Sequence, residues 1–503
     1  MIIFERISLS VFLFLAICFY SIKGYCQSDN VVPGIREWKP AKGQLKIEKE
    51  FKLVLDSKFA SQLQPEIEVF KEDLSKISKL NTSISNASSV KSGELFFTLD
   101  TAAKELGNEG YKMEIGHSVK ITAKTSAGIF YATQTLLQIF KQTGNTIEKG
   151  IAIDYPIFES RGIMIDAGRR FFQVAYLEDV IRQLAWQKMN TLHMHFTEWS
   201  AFRLNSEKYP GLAAKDSYTK ADIQRLQKLC AKYHIMLVPE IDMPAHASAL
   251  TDYKPDIAFS CESMRKSRWQ GEVANNAGKA WAIDITRPEV RAWLKELLDE
   301  FIPWFDAPYF HIGGDEYQYD PEKYKCPELL EGMKKMGYSK PGDVFVDFIN
   351  EMDQHVRSKG KTTQIWNWWR FGKDETTIQP SKDIIINVWN KPRQKFIVED
   401  GYKVIITPEE DLYVTPGLAD TSGYGVVKTK IVYENWKPEV KSTIMGYKIC
   451  VWADKAEEQP DSWFEQHAYE PKVVLAEKVW AGAKSLSLAE YLKRVQNVGR
   501  FPF

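Results

Sequence analysis

Apolar positions along this chain recur with two different rhythms. Between Val32 and Asp154 the pattern is mixed. Leu45 to Leu55 alternates as a strand does, whereas Gln64 to Leu80 carries Ile67, Phe70, Leu74 and Ile77 at helical spacing. A polar, Asn/Ser-rich stretch at 81–92 predicts a loop, Leu95 to Leu99 a strand, and Gly110 to Ala123 a hairpin turning at Gly116-His117. Ser126 to Phe140 sets Ile129, Thr133, Leu136, Leu137 and Phe140 on one helical face. No titratable cluster falls in this stretch. It predicts a small supporting α+β domain over 27–154, with the linker near Asp154-Tyr155-Pro156.

From there the rhythm becomes strand, loop, helix, repeated over 155–503. Strands are predicted at 162–165, 191–197, 235–241, 309–312, 363–366, 384–389, 403–406 and 446–452. Helices are predicted at 174–188, 220–233, 288–305, 344–357 and, closing the series, 488–498. Eight strands alternating with mostly helical connections predict an α/β architecture, a (β/α)8 TIM barrel. In such barrels chemistry sits at the C-terminal ends of the strands. Glycines at 313 and 314 follow the fourth strand, where they permit a sharp turn and close ligand approach. Asp315 and Glu316 come next. Adjacent carboxylates repel, and burial separates their pKa values, so one can stay protonated beside a charged neighbour.

The other strand ends contribute similar groups. Arg161 opens the first strand, and Asp166 and Arg169-Arg170 follow it; Thr197-Glu198-Trp199 ends the second; Glu240, Asp242 and His246 lie at the end of the third. Trp366, Trp389, Tyr413, and Trp452 with Asp454 close strands five to eight. Carboxylates, a histidine and a ring of aromatics on one rim describe a carbohydrate pocket better than a phosphate site, and there is no Gly-rich phosphate loop to bind a nucleotide cofactor. Glu240 and Asp242 either orient His246 or satisfy backbone groups, and Trp199 and Trp368-Trp369 either pack or flank a second sugar. His311 reads as a structural hydrogen-bonder below the pocket.

Composition narrows the classes. Lys+Arg and Asp+Glu each number 66, so no net charge steers the protein to nucleic acid or an anionic membrane. Fifteen tryptophans exceed the needs of a core this size, which suits stacking on sugar rings. Arg6, the apolar run Leu9 to Tyr20 and Gly24-Tyr25-Cys26 read as a signal peptide over 1–26, too short for a comfortable membrane span. A periplasmic or secreted location follows, with Leu15-Ala16-Ile17-Cys18 a poor lipoprotein box because Ile17 is bulky. Cys230, Cys261, Cys326 and Cys450 fit no zinc spacing and leave room for one disulfide of unspecified pairing.

Three segments together resemble glycoside hydrolase family 20, the β-N-acetylhexosaminidases: His311-Ile312-Gly313-Gly314-Asp315-Glu316, Pro239 through His246, and Arg161-Gly162-Ile163-Met164-Ile165-Asp166. Glu109 to Ile115 and Ser126 to Gln138 are similar to that family's N-terminal domain. The resemblance implies an exo-acting, retaining hydrolase that releases terminal β-linked N-acetylglucosamine or N-acetylgalactosamine from glycans, without metal or other cofactor. The substrate's own 2-acetamido oxygen attacks the anomeric carbon, an exception to the two-carboxylate scheme. It implies Glu316 as general acid and then base, Asp315 as the group holding the acetamido N–H and stabilising the oxazolinium-like cation, and Tyr413 as the donor that aims the acetamido oxygen. It also implies Arg161 and Asp454 on ring hydroxyls, Trp366, Trp389 and Trp452 as walls, and His246 with Glu198 behind Glu316.

The chain departs from the family pattern around the pocket. Thr197-Glu198-Trp199-Ser200-Ala201-Phe202-Arg203 stands where the family reads Thr-Asp-Asp-Gln-Gly-Trp-Arg, so Glu198 is a methylene longer. Trp452-Ala453-Asp454 shortens a Trp-x-Glu, Thr415 replaces an Asp or Asn, and Asn367 replaces an acidic residue. Retained chemistry with altered fine specificity is expected, for a substituted or extended N-acetylglucosamine end. Two other readings compete: an inactive sugar-binding protein on the same fold, and a metal-dependent amidohydrolase barrel using His193, His195, His246 and His311.

Overall fold

The computed structural model describes residues 30–266, 280–317, 325–368, 376–482 and 486–502, with 420 and 421 described by their backbone alone. The region read as a signal peptide, and Trp369, lie outside the described residues.

The first domain is a seven-stranded sheet in the order β1-β7-β5-β6-β4-β2-β3. Its strands are β1 (Glu37–Lys46), β2 (Glu50–Asp56), β3 (Asn81–Ala87), β4 (Leu95–Leu99), β5 (Tyr111–Ile115), β6 (Val119–Ala123) and β7 (Thr146–Asp154). Helices Ala60–Ile77 and Ser126–Thr143 pack side by side, and the second lies against strands of the sheet. The predicted loop at 81–92 is in part a strand. Its sequence Asn-Thr-Ser-Ile-Ser-Asn-Ala is polar because β3 is an edge, paired only to β2 and wet along its other side.

The second domain is a closed parallel barrel. Its strands are β8 (Ser160–Asp166), β9 (Thr191–His195), β10 (Met236–Glu240), β11 (Tyr309–His311), β12 (Thr362–Trp366), β13 (Ile385–Val388), β14 (Val404–Ile406) and β16 (Ile444–Val451), and β14 pairs with β16 to close the ring. The two-residue β15 (Tyr413–Val414) adds to the outside end of β16. Local sequence explains the helix starts: Thr219 and Asp222 form a capping box for Lys220–Lys232, and prolines open Pro288–Phe301 and Pro341–Ser358. The helix that follows β16 is Asp461–Trp480, which the sequence pattern did not signal; Leu488–Val498 comes after it and packs on the first domain's helix Ser126–Thr143. No helix among the described residues is long and apolar enough to cross a membrane.

The small domain braces the barrel at the N-terminal ends of its strands, and charge lies at the heart of that joint. Asp154 accepts from Lys188 Nζ at 2.7 Å, Tyr111 Oη at 2.8 Å and Trp480 Nε1 at 2.9 Å. Before β10, Tyr233 donates to Asp73 and His234 meets Glu66 at 2.8 Å. Arg161 belongs to this joint. Its guanidinium is wholly buried and forks onto Glu109 at 2.7 and 3.1 Å, while also donating to the carbonyls of Phe158 and Lys188. The expectation that Arg161 holds substrate hydroxyls is therefore corrected. Five residue steps along the strand, roughly 16 Å, separate it from Asp166 at the opposite end of β8.

Candidate active site

The four residues from Gly313 to Glu316 turn where β11 ends. Gly313 and Gly314 have φ of 71° and 94°, and Glu316 itself has φ of 49°, all in the left-handed region. A Cβ on Gly313 would stand 1.6 Å from Asp242 Oδ1, and Gly314 N–H donates to that same oxygen at 3.1 Å. Asp242 thus holds the turn rather than orienting His246. In an extended strand two neighbouring side chains point apart. Here the left-handed turn brings both onto one ring nitrogen: His246 Nε2 lies 3.5 Å from Glu316 Oε2 and 3.7 Å from Asp315 Oδ2.

His246, also at positive φ, is held from behind by Glu198, whose Oε1 lies 2.9 Å from Nδ1. The extra methylene of Glu198 fits because Gly168 lies against it; a Cβ there would come within 2.9 Å of Glu198 Cβ. Glu198 Oε1 also receives Arg169 Nη1 at 2.7 Å and faces His195 Nε2 at 3.2 Å. Burial alone would protonate Glu198, but Arg169 and His246 hold it well below the usual carboxylate range. Burial opposes charge on His246 too, and Glu198 and Asp315 outweigh it, keeping the imidazole protonated well above its ordinary range. Burial lifts Asp315 to about 6, against the pull of His246 and with help from Glu316. Its Oδ1 is closed off from solvent and has no hydrogen-bond partner among the described residues.

Arg169 is the arginine at this rim. It pairs with Asp166 at 2.9 Å, lies 3.4 Å from Asp454 Oδ1 through Nε, and stands 5.3 Å over the Trp452 ring. Asp166 also accepts from Ala453 N, which fixes the turn carrying Asp454. Burial lifts Asp454 to about 6 in spite of Arg169. The aromatics converge: Trp452 lies 5.7 Å from Tyr413, 6.1 Å from Trp366 and 5.3 Å from His195. Trp389 stacks on Trp368 at 6.5 Å, and Asn367 Oδ1 accepts from the Trp389 backbone at 2.8 Å. Trp281 joins the site with no motif in the sequence to mark it. Its ring packs 4.3 Å from His246, and its Nε1 donates to the Glu316 carbonyl at 3.1 Å. It lies in the long non-periodic connection between β10 and the helix Pro288–Phe301, where hydrophobic rhythm carries no signal.

The histidines of the amidohydrolase reading go elsewhere. His193 Nε2 and His195 Nδ1 reach Glu240 Oε2 at 2.9 and 2.8 Å, and His311 Nδ1 lies 3.1 Å from Oε1. His193, Glu240 and His311 could in principle surround an ion. However, Lys448 Nζ sits 2.6 Å from His193 Nδ1, and Trp366 Nε1 donates to Glu240 at 2.6 Å, so a lysine ammonium and an indole N–H already serve these atoms. Glu240 therefore joins histidines inside the barrel and does not touch His246.

The C-terminal rim of the parallel barrel thus carries an acidic pair, a supporting imidazole and a ring of aromatics. Residues 158–483 match the model for the glycosyl hydrolase family 20 catalytic domain, and 28–155 match that family's domain 2. The chain belongs to glycosyl hydrolase family 20. It is 23% identical over 471 residues to a lacto-N-biosidase of Bifidobacterium bifidum, covering 90% of this chain and 40% of that one. It is 25% identical to a β-hexosaminidase of Porphyromonas gingivalis, covering 87% of this chain and 59% of that one. The chain thus spans less than two thirds of either curated relative. Among solved structures it shares the fold of a β-N-acetylhexosaminidase from Bacteroides fragilis, with TM-score 0.75, 21% identity and coverage of 93% and 94%.

Proposed function

We propose that this protein is an exo-acting β-N-acetylhexosaminidase that cleaves terminal β-linked N-acetylglucosamine or N-acetylgalactosamine with retention, through substrate assistance. The observation that carries the reading is the Asp315–Glu316 pair. The two carboxylates lie 3.7 and 3.5 Å from the same ring nitrogen, His246 Nε2, which supports their acting together on one reacting centre. In the substrate-assisted scheme the attacking atom comes from the substrate, and the unpartnered Oδ1 of Asp315 is an acceptor suited to an acetamido N–H.

In this reading Glu316 protonates the leaving oxygen and then deprotonates water. Asp315 orients the acetamido group and balances the cation formed on it. Tyr413 aims the acetamido oxygen, and Trp366, Trp389 and Trp452 wall it. Arg169, in place of Arg161, holds ring hydroxyls with Asp454. His246, kept cationic by Glu198, sits behind the acid pair. The apolar N-terminal run and the Cys261–Cys326 disulfide support export to an oxidising compartment, periplasmic or extracellular; fractionation with N-terminal sequencing of the mature chain tests that.

Paired aryl substrates test the activity. An N-acetyl-β-glucosaminide is expected to be cleaved at least about a thousandfold faster than the β-glucoside lacking the acetamido group, since the latter offers no nucleophile. Equal rates on the two would end the substrate-assisted reading, and binding without turnover of either would support the inactive alternative. An aryl β-lacto-N-bioside belongs in the panel because of the Bifidobacterium relative. Chelators are expected to leave the rate unchanged; loss of activity would revive the amidohydrolase reading.

A further inference from the structure

Lys448, on β16, is the cation inside the barrel that the proposed chemistry does not use. It is 3% exposed, and burial lowers it to about 8, so it carries its charge at neutral pH. An ammonium has only donors, so its 2.6 Å contact with His193 Nδ1 makes that nitrogen the acceptor. The proton of His193 is then on Nε2, which faces Glu240 Oε2 at 2.9 Å. The other oxygen of Glu240 accepts the indole N–H of Trp366 at 2.6 Å.

The same three residues also meet the Trp366 ring. Lys448 Nζ lies 4.4 Å from its centroid, within cation–π range, and the His193 ring stacks at 5.9 Å and 29°. The indole is thus held at its nitrogen by Glu240 and over its surface by Lys448 and His193. Donor and acceptor type fixes the Lys448–His193 and Trp366–Glu240 hydrogen bonds, and His193 Nε2 and Glu240 Oε2 between them are in close contact at 2.9 Å without hydrogen-bond alignment.

We propose that Lys448 is a positioning residue which, through its own contact and through His193 and Glu240, sets the plane of Trp366 and so the depth of the acyl-binding pocket. This rests on the assignment of Trp366 as a wall of the acetamido site. A wall whose plane is fixed discriminates by acyl size, and one methylene in such a pocket is worth roughly 10–200-fold.

The test is the ratio of kcat/KM for an aryl N-acetyl-β-glucosaminide to that for its N-propionyl counterpart, in wild type, Lys448→Met and Lys448→Arg. The Met variant keeps most of the length of the side chain and removes the charge. Its ratio is expected to fall by about tenfold from that of the wild type, with Lys448→Arg restoring most of it. General damage to the fold slows both substrates in parallel, so a Met variant with the wild-type ratio, whatever its absolute rate, overturns the proposal. If Lys448→Met does not fold, His193→Leu breaks the same link from the other side and is expected to lose the same selectivity; an unchanged ratio there overturns the proposal equally. Absence of wild-type turnover on both N-acetylglucosaminide and N-acetylgalactosaminide would overturn the functional reading, and this inference with it.

Discussion

At Asp315 the proposed function and stability pull apart. Its carboxyl titrates near 6 in the folded protein against 3.8 as the ordinary value, so the folded state binds this proton more tightly than the unfolded chain does. The stability linked to that proton is present below the ordinary value and is lost as pH rises through about 6, at most about 3 kcal/mol for a shift of this size. Asp315→Asn is therefore expected to melt higher than wild type at pH 8, by a few degrees at roughly 1–2 °C per kcal/mol for a chain of this length, and to show no gain at pH 4. The same variant is expected to lose at least about a hundredfold in kcat, because an amide cannot balance the cation. In the wild type, kcat/KM is expected to fall as pH drops through about 6. The two arginines make a second contrast. Arg161→Met leaves Glu109 without its partner at the joint between domains and is expected to cost about 3 kcal/mol in denaturant unfolding, with KM of the folded fraction unchanged. A raised KM with intact stability would return Arg161 to the substrate. Their placement was not legible from residue type, since both flank β8; strand direction decides, and Arg161 starts the strand while Arg169 follows its end.

At the scale of elements, the turn after β11 carries the most information per residue. Gly313→Ala introduces a Cβ onto Asp242 at a φ of 71°, so both activity and melting temperature are expected to fall sharply. Gly211→Ala is the control. It has a φ of 88° with open space around it, and is expected to cost about 1 kcal/mol with kcat unaltered. Similar losses from both would mean that backbone strain alone explains Gly313. All eight barrel strands were legible from their short apolar runs and spacing, because strands buried on both sides read as continuous hydrophobic stretches. The helix Asp461–Trp480 was not. It is buried on nearly every side, with Val473 through Trp480 enclosed in succession, so it lacks the polar face that makes a stripe, and Pro471 inside it reads as a breaker. Leu488–Val498 has both a stripe and a Ser487–Glu490 capping box, which is why the pattern pointed to it as the closing helix. The acid pair was legible from a six-residue segment, whereas the support of Glu316 by Trp281 arises only when a distant loop folds over it.

The whole molecule has a polarity that follows from its joint. Arg161 in β8, Lys188 before β9 and His234 before β10 tie the small domain to the end of the barrel opposite the candidate site. Residues 158–503 alone would leave Arg161 and Lys188 without Glu109 and Asp154, and are expected to be recovered as aggregate; a soluble, active barrel would refute this. In the proposed function this scaffold delivers Glu316 as the acid for a substrate-assisted cleavage. The most direct measurement compares wild type and Glu316→Gln on two aryl N-acetyl-β-glucosaminides, one with a poor leaving group and one with a strongly activated one. The substitution keeps size but cannot donate a proton, so kcat/KM is expected to fall about 10²–10⁴-fold on the poor leaving group and far less on the activated one. Equal losses on both, or no loss on either, would contradict the assignment of Glu316.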